Sequence, residues 1–197
     1  MQRKIWMTAT AVLALAACNQ KPADQPADTT ADNIPAAQEV APPETVPTAL
    51  PAQDFANRLA ASDAFEIATS RLAVDRAPTP SIKAFAQKMV DAHTASTDKL
   101  KKEVGALSPA ITPDPALSAD QQKKLDALRQ LTGAAFEQAY VADQVAAHET
   151  ALGVVRSYAE NGSEPVLKRF AADAVKMVSD HLDEVRRLAT PAPATAP

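Results

Sequence analysis

Apolar residues recur at helical spacing from about residue 52 to residue 188. Intervals of three and four residues between apolar positions are typical of amphipathic helices that bury one face. Pro80 and Pro165 stand where a first helical turn accepts proline, and residues 118–121 form a capping-box pattern. The pattern predicts helices at about 52–74, 80–104 and 134–160, a short helix from 118, and a last helix at 165–188. The third long helix is expected to end in a left-handed turn at Asn161-Gly162.

The order of these segments predicts an all-α four-helix bundle. About 140 residues are enough for one domain, and they contain very little glycine. Residues 80–86 are echoed at residues 165–171, an offset of 85, which indicates two helical hairpins of similar build. About 28 residues connect the hairpins, a length that lets the chain cross from one end of the bundle to the other. We therefore expect a bundle domain over residues 51–189, with a long crossover that carries a short extra helix.

The first seventeen residues have the pattern of a secretory signal. Arg3 and Lys4 precede an apolar run at residues 5–15, which ends in Leu-Ala-Ala-Cys at residues 15–18. This tetrad resembles the lipobox of bacterial lipoproteins, which implies removal of residues 1–17 and acylation of Cys18. The other interpretation is an ordinary signal peptide followed by an unrelated cysteine. Asn19, which is not aspartate, implies by resemblance to the enterobacterial sorting rule an outer-membrane anchor with the domain in the periplasm.

Residues 18–50 are rich in alanine, proline and threonine and contain no aromatic residue. Such a segment cannot bury enough apolar surface to fold, so we expect a disordered tether, and likewise a disordered tail at residues 190–197. The single cysteine excludes an internal disulfide. Without the signal, 18 basic residues stand against 24 acidic ones, and the net charge of −6 argues against nucleic acid as a partner. The predicted partner is the membrane, through the lipid anchor, and the sequence identifies no protein partner.

All three histidines of the chain lie on the apolar faces of their predicted helices, and Glu66 lies on the apolar face of the first helix. Counted from the prolines that begin the second and fourth long helices, Glu66 is level with His93, and His148 is level with His181. Bundle metal sites are built from inward ligands on facing helices, and imidazole with carboxylate suits iron, zinc, copper or manganese. The sequence therefore offers Glu66, His93, His148 and His181 as candidate ligands of a transition-metal site.

The same four residues also permit a purely structural interpretation. A buried histidine can satisfy its ring nitrogens with a carboxylate or hydroxyl group, and Glu66 with His93 would make a buried pair. The Glu-x-x-His motif of di-iron bundles is absent, because valine stands three residues before each histidine. The four glycines are scattered, so that no phosphate-binding loop is present.

Several short motifs form a further pattern: residues 85–94, Leu125-Asp126 with Leu128, Phe136 with Ala139 and Tyr140, His148, and Asp180-His181-Leu182. Together they resemble the exported bacterial family known as domain of unknown function 4142, over about residues 54–188. The resemblance implies a ferritin-like fold and an outer-membrane protein, and it leaves the activity open. The chain departs from the family at Ala92 and Ala147, where aspartate commonly precedes a histidine, and only Asp180 keeps that pairing.

Two functions are compatible with the sequence. The first is a non-enzymatic, lipid-anchored envelope module that acts through protein contacts or in stress tolerance. The second is a metal-binding or redox bundle that uses the three histidines and Glu66. Because no catalytic constellation stands out, the sequence favours the first function and a protein that is not an enzyme.

Overall fold

The computed structural model describes residues 50–190, which form five α-helices. The predicted signal segment, Cys18, the tether through residue 49 and the tail from residue 191 lie outside the described residues. Within residues 50–190, no helix combines the length and the hydropathy that a membrane span requires. The helices are α1 (Ala52–Arg76), α2 (Pro80–Gly105), α3 (Ala119–Gln130), α4 (Gly133–Asn161) and α5 (Pro165–Ala189).

The four long helices form two antiparallel hairpins, α1 with α2 and α4 with α5, and the hairpins pack so that α1 lies beside α4 and α2 beside α5. Near the start of α1, Phe55 stacks on Tyr158 near the end of α4, with 3.7 Å between ring centroids. Near the start of α2, Lys88 Nζ lies 2.6 Å from Oε2 of Glu184 near the end of α5. Since α1 is antiparallel to both neighbours, α2 and α4 run in the same direction. The chain between them therefore has to travel the length of the bundle.

This crossover follows α1 from its beginning to its end. Four hydrogen bonds fix its course: Gln53 Nε2 to Thr112 O (2.8 Å), Asp114 N to Asn57 Oδ1 (2.9 Å), Gln121 Nε2 to Ala61 O (3.4 Å) and Arg76 Nη1 to Arg129 O (2.8 Å). The short helix α3 lies within the crossover and packs against α1 and α4. The predicted four-helix bundle with a crossover that carries a short helix is confirmed.

Side-chain hydrogen bonds form at two of the helix starts, one within α3 and one between α2 and α4. The capping box of α3 is confirmed, because the Ser118 hydroxyl accepts from the Gln121 amide at 3.2 Å and the Gln121 side chain accepts from the Ser118 amide at 2.9 Å. At α2, Thr79 makes no side-chain cap. Its amide and hydroxyl donate instead to the carboxylate of Glu137, at 2.7 and 2.9 Å, and tie the first hairpin to α4.

The left-handed turn expected at Gly162 is wrong. Gly162 has φ −61° and ψ 144°, an extended conformation that any residue adopts. A Cβ at this position would lie 2.4 Å from Cε1 of Tyr158, so the glycine is required for space and not for backbone freedom. Among the described glycines, the left-handed conformation belongs to Gly133, with φ 57°, at the start of α4.

The interior of the bundle is divided into three layers. One apolar cluster fills the end of the bundle at the turn between α1 and α2, and it includes Ala77 and Ile82. Another fills the opposite end, where α1 and α5 begin, and it includes Phe55 and Leu167. Between them, each long helix contributes buried polar side chains. These are Asp63, Glu66, Thr69 and Ser70 of α1, His93 of α2, Gln144 and His148 of α4, and His181 of α5. Because apolar packing closes both ends, this polar layer is shielded from water.

Candidate metal centre

Three histidine side chains from three helices meet in the polar layer. His93, His148 and His181 are 4, 2 and 3% exposed. One ring nitrogen of each lies within 4.8 Å of a ring nitrogen of the other two. Their ring centroids are 5.6 to 5.8 Å apart, and the rings are tilted against one another by 55° to 74°. The bundle therefore gathers three imidazoles around one buried point.

Asp63 of α1 fixes the orientation of His93. The Nδ1 atom of His93 donates to Oδ1 of Asp63 at 2.8 Å, and the hydroxyl of Thr97 donates to Oδ2 at 3.2 Å. A carboxylate accepts only, so this bond places a proton on Nδ1 and leaves the buried Nε2 without a hydrogen-bond partner. Burial lowers the pKa of His93, but the bond to Asp63 and the charges of Glu66 and Asp63 outweigh it and raise the pKa above its ordinary value.

His148 is held in the same tautomer by its own helix. Its Nδ1 donates to the backbone carbonyl of Gln144, one turn earlier, at 2.9 Å. A carbonyl cannot donate, so the proton is on Nδ1 and the lone pair is on the buried, unpartnered Nε2. On His181 the buried nitrogen without a partner is Nδ1. Each ring thus offers one buried nitrogen that has no partner among the residues that the structure describes.

The electrostatics of the layer keep two of the rings neutral. Burial, the largest effect, lowers the pKa of His148, its hydrogen bond to the Gln144 carbonyl opposes the decrease, and the positive charge of His93 adds to it, which places the pKa at about 4. Burial, followed by the charges of His93 and His148, lowers the pKa of His181 to about 3. A metal binds the unprotonated ring, so His148 and His181 are in the metal-binding form at neutral pH.

Glu66 is the most isolated polar group of the layer. Its side chain is 2% exposed, and neither carboxylate oxygen has a hydrogen-bond partner of good geometry. Burial raises its pKa to about 7, while the charge of His93 and the nearby amide of Gln144 limit the increase. In the described part of the chain, the group of possible metal ligands within 4.8 Å of one another consists of the three histidines. Glu66 does not belong to this group.

The unpartnered atoms of the layer fit a metal ion. Seven buried side-chain atoms in residues 50–190 lack a partner, and six of them belong to Glu66, His93, Gln144, His148 and His181. Buried polar atoms are nearly always paired, so such a concentration of lone-pair atoms in one place is suited to an ion that accepts lone pairs. A point equidistant from three nitrogens 4.8 Å apart is about 2.8 Å from each. Ring movements of under about 1 Å would give the usual bond length of about 2.0–2.1 Å.

The structure thus brings together three of the four predicted ligands, while Glu66 lies in the same layer but outside the converging trio. The sequence reasoning missed the roles of Asp63 and Gln144. Gln144 stands one helical turn before His148 on the inward face, and this spacing is the signal that would have found it. Asp63 stands one turn before Glu66 on α1.

Comparison with known proteins gives a family and a fold. The model of the family described as "Domain of unknown function (DUF4142)" matches residues 36–188. No curated protein matches the chain.

Two solved structures have a similar fold. The first, "CopM in the Cu(II)-bound form", has a TM-score of 0.62 at 14% identity, and the match covers 72% of this chain and 97% of that one. The second, a fragment of domain of unknown function 305 from Deinococcus radiodurans, has a TM-score of 0.62 at 12% identity, and the match covers 73% of this chain and 98% of that one. At these identities the likeness establishes the helical-bundle fold alone.

Proposed function

The chain belongs to the family described as Domain of unknown function (DUF4142), and we propose that its bundle binds one transition-metal ion through His93, His148 and His181. The single observation that carries this proposal is the convergence of three buried histidines, each of which has one buried ring nitrogen without a partner among residues 50–190. A purely structural cluster would pair these nitrogens with donors, because an unpaired buried polar atom costs roughly 1–3 kcal/mol. The metal-binding interpretation is therefore preferred over the structural one.

Copper is the metal that the donor set favours. The converging ligands are imidazoles, which suit copper and zinc, and copper(II) forms the most stable complexes of the divalent first-row series. A structure with the same fold is described as the Cu(II)-bound form of its own protein, which supports copper as the first metal to test. A copper ion would supply one-electron chemistry or Lewis acidity. The chain itself supplies the oriented rings, the hydrogen bond of Asp63 and apolar layers that keep bulk solvent away from the site.

The proposal extends to location. An acylated Cys18 would anchor the chain in the outer membrane, and the tether would hold the metal-binding bundle in the periplasm. Metal binding there is compatible with a role in stress tolerance. Labelling with radioactive palmitate tests the anchor: we expect label and membrane association in the wild type and neither in Cys18→Ser. Unlabelled wild-type protein would contradict the lipid anchor without touching the metal site.

Metal analysis tests the site directly. Purified protein is stripped with a chelator, offered copper(II), zinc(II) or iron(II), dialysed and analysed by mass spectrometry. All proteins carry Cys18→Ser, which removes the only thiol as a competing copper ligand. We expect one copper per chain in the wild type and none in the variant with alanine at all three histidines.

Two further measurements make the result decisive. Circular dichroism shows whether the triple variant is still helical, and His181→Gln keeps a polar side chain of similar size in case alanine opens the layer. Zinc in place of copper would change the identity of the ion and keep the site. A folded wild-type protein that retains none of the three metals would refute metal binding and leave the structural interpretation.

A further inference from the structure

We infer that the metal centre keeps one exchangeable position, occupied by a water molecule whose hydrogen atoms are accepted by Glu66 and Gln144. This inference rests on the proposed function, and it assigns Glu66 a role beside the metal instead of on it. Such a position admits small, neutral molecules that donate hydrogen bonds. The same position disfavours anions.

The first argument is the kind of atom left unpaired. In the unprotonated side chains that a metal requires, all six unpartnered atoms of the polar layer have a lone pair to give: three ring nitrogens, two oxygens of Glu66 and the Oε1 atom of Gln144. Three imidazole nitrogens are accounted for by a metal ion. Oxygen atoms outside the nitrogen trio need hydrogen-bond donors, and a metal-bound water offers two hydrogen atoms while its oxygen faces the metal.

The second argument is that neighbouring hydroxyl groups already have partners. Thr69 donates to the backbone carbonyl of Phe65 at 2.9 Å. The hydroxyls of Ser70 and Tyr140 are paired with each other at 2.9 Å. The amide group of Gln144 makes a long bond of 3.4 Å to the Thr69 hydroxyl, which leaves its oxygen free. The Gln144 amide is the one donor near Glu66, and among residues 50–190 none is left for the Oε1 atom of Gln144. A water molecule would supply the donors that these oxygens lack.

The third argument concerns charge and size. Glu66 and Asp63 place two carboxylates in a layer with 2 and 4% exposure. With little screening by solvent, their negative charges weaken the attraction of the metal for an anion and leave the binding of a neutral molecule unopposed. Apolar side chains pack on both sides of the layer, which favours a small ligand over a large one. Water meets these conditions, and so does hydrogen peroxide, which is small, neutral and a donor of two hydrogen bonds.

Copper(II)-loaded protein makes the inference testable by spectroscopy. Pulsed electron paramagnetic resonance in deuterated water detects exchangeable deuterons on a copper-bound water, and titration with azide, followed by its charge-transfer band, measures how well the position accepts an anion. The variants are Glu66→Gln, which removes the charge and keeps the shape, and Gln144→Leu, which removes one acceptor and keeps the backbone carbonyl that holds His148. Glu160→Gln removes the same charge from the exposed end of α4 and is the matched control.

We expect the wild type to show coupled deuterons and weak azide binding. Glu66→Gln should keep one copper and bind azide about tenfold more tightly, because the anion no longer faces a carboxylate. Gln144→Leu should keep copper and show weaker deuteron coupling, and the control should match the wild type.

The failures are distinguishable. Copper-loaded wild type without coupled deuterons, or with azide affinity equal to that of Glu66→Gln, would overturn this inference and leave the three-histidine site standing. Loss of copper in Glu66→Gln would also overturn it, because Glu66 would then be a direct ligand. A wild type that binds no copper would end both proposals.

Discussion

The hydrogen bond between Asp63 and His93 gives a prediction that separates a metal centre from a structural cluster. Asp63→Asn keeps the volume of the side chain and replaces a charged acceptor by a neutral amide. The bond is short, 2.8 Å, and both residues are 4% exposed, so solvent does not screen it. The amide can also turn its NH₂ group toward Nδ1, which moves the ring proton to Nε2 and blocks the nitrogen that is free in the wild type. Carboxylate partners of metal-binding histidines typically contribute 10–100-fold in affinity, about 1.4–2.7 kcal/mol.

Competition with a chromophoric chelator at neutral pH measures this effect. We expect the copper dissociation constant of Asp63→Asn to rise by about 10–100-fold, with the helical content unchanged. Asp173→Asn is the control, because Asp173 pairs with Lys99 on the surface of the bundle and is 70% exposed. Equal copper affinity in Asp63→Asn and the wild type would show that Asp63 does not position a ligand, and it would refute the reasoning for His93.

Three other predictions concern the metal-free protein, and urea unfolding measures each of them. Burial raises the pKa of Glu66 from 4.5 to about 7, so its contribution to stability is full below pH 4.5 and is lost as the pH rises toward 7. His148 and His181 have lowered pKa values, so they contribute above pH 6.5 and lose their contribution as the pH falls. Glu66→Gln should therefore raise the free energy of unfolding at pH 8 by about 3 kcal/mol, and equal stabilities at that pH would contradict the burial argument. Gly162→Ala should cost about 1–3 kcal/mol, because its Cβ would displace the Tyr158 ring, whereas Gly153→Ala, with no atom within 4 Å, should stabilise α4 by up to about 1 kcal/mol. Ser118→Ala should cost about 1 kcal/mol by removing the cap of α3, and an unchanged midpoint would mean that α3 does not contribute to global stability.

The helices could be read from the sequence because their ends carry local signals. Pro80 and Pro165 begin α2 and α5, and the Ser118 capping box begins α3. Gly162 shows the limit of such reading: glycine after a helix usually indicates a left-handed residue, but here the Tyr158 ring occupies the space where a side chain would stand. That contact depends on how the hairpin packs, which no local pattern contains.

The same limit explains why Glu66 was predicted opposite His93 and Asp63 was missed. Counting from Pro80, the first residue of α2, places residue 66 level with residue 93, but the turn between the helices is centred on Pro78. Counted from that centre, Asp63 stands fifteen residues before and His93 fifteen residues after, and these are the two side chains that bond. A shift of two residues in the turn centre moves the partner by about one helical turn, because both helices advance at 1.5 Å per residue. A small error in register therefore leaves the predicted layer of a buried residue correct but changes its predicted hydrogen-bond partner. Here that single turn decides which carboxylate orients a histidine and which one faces a ligand.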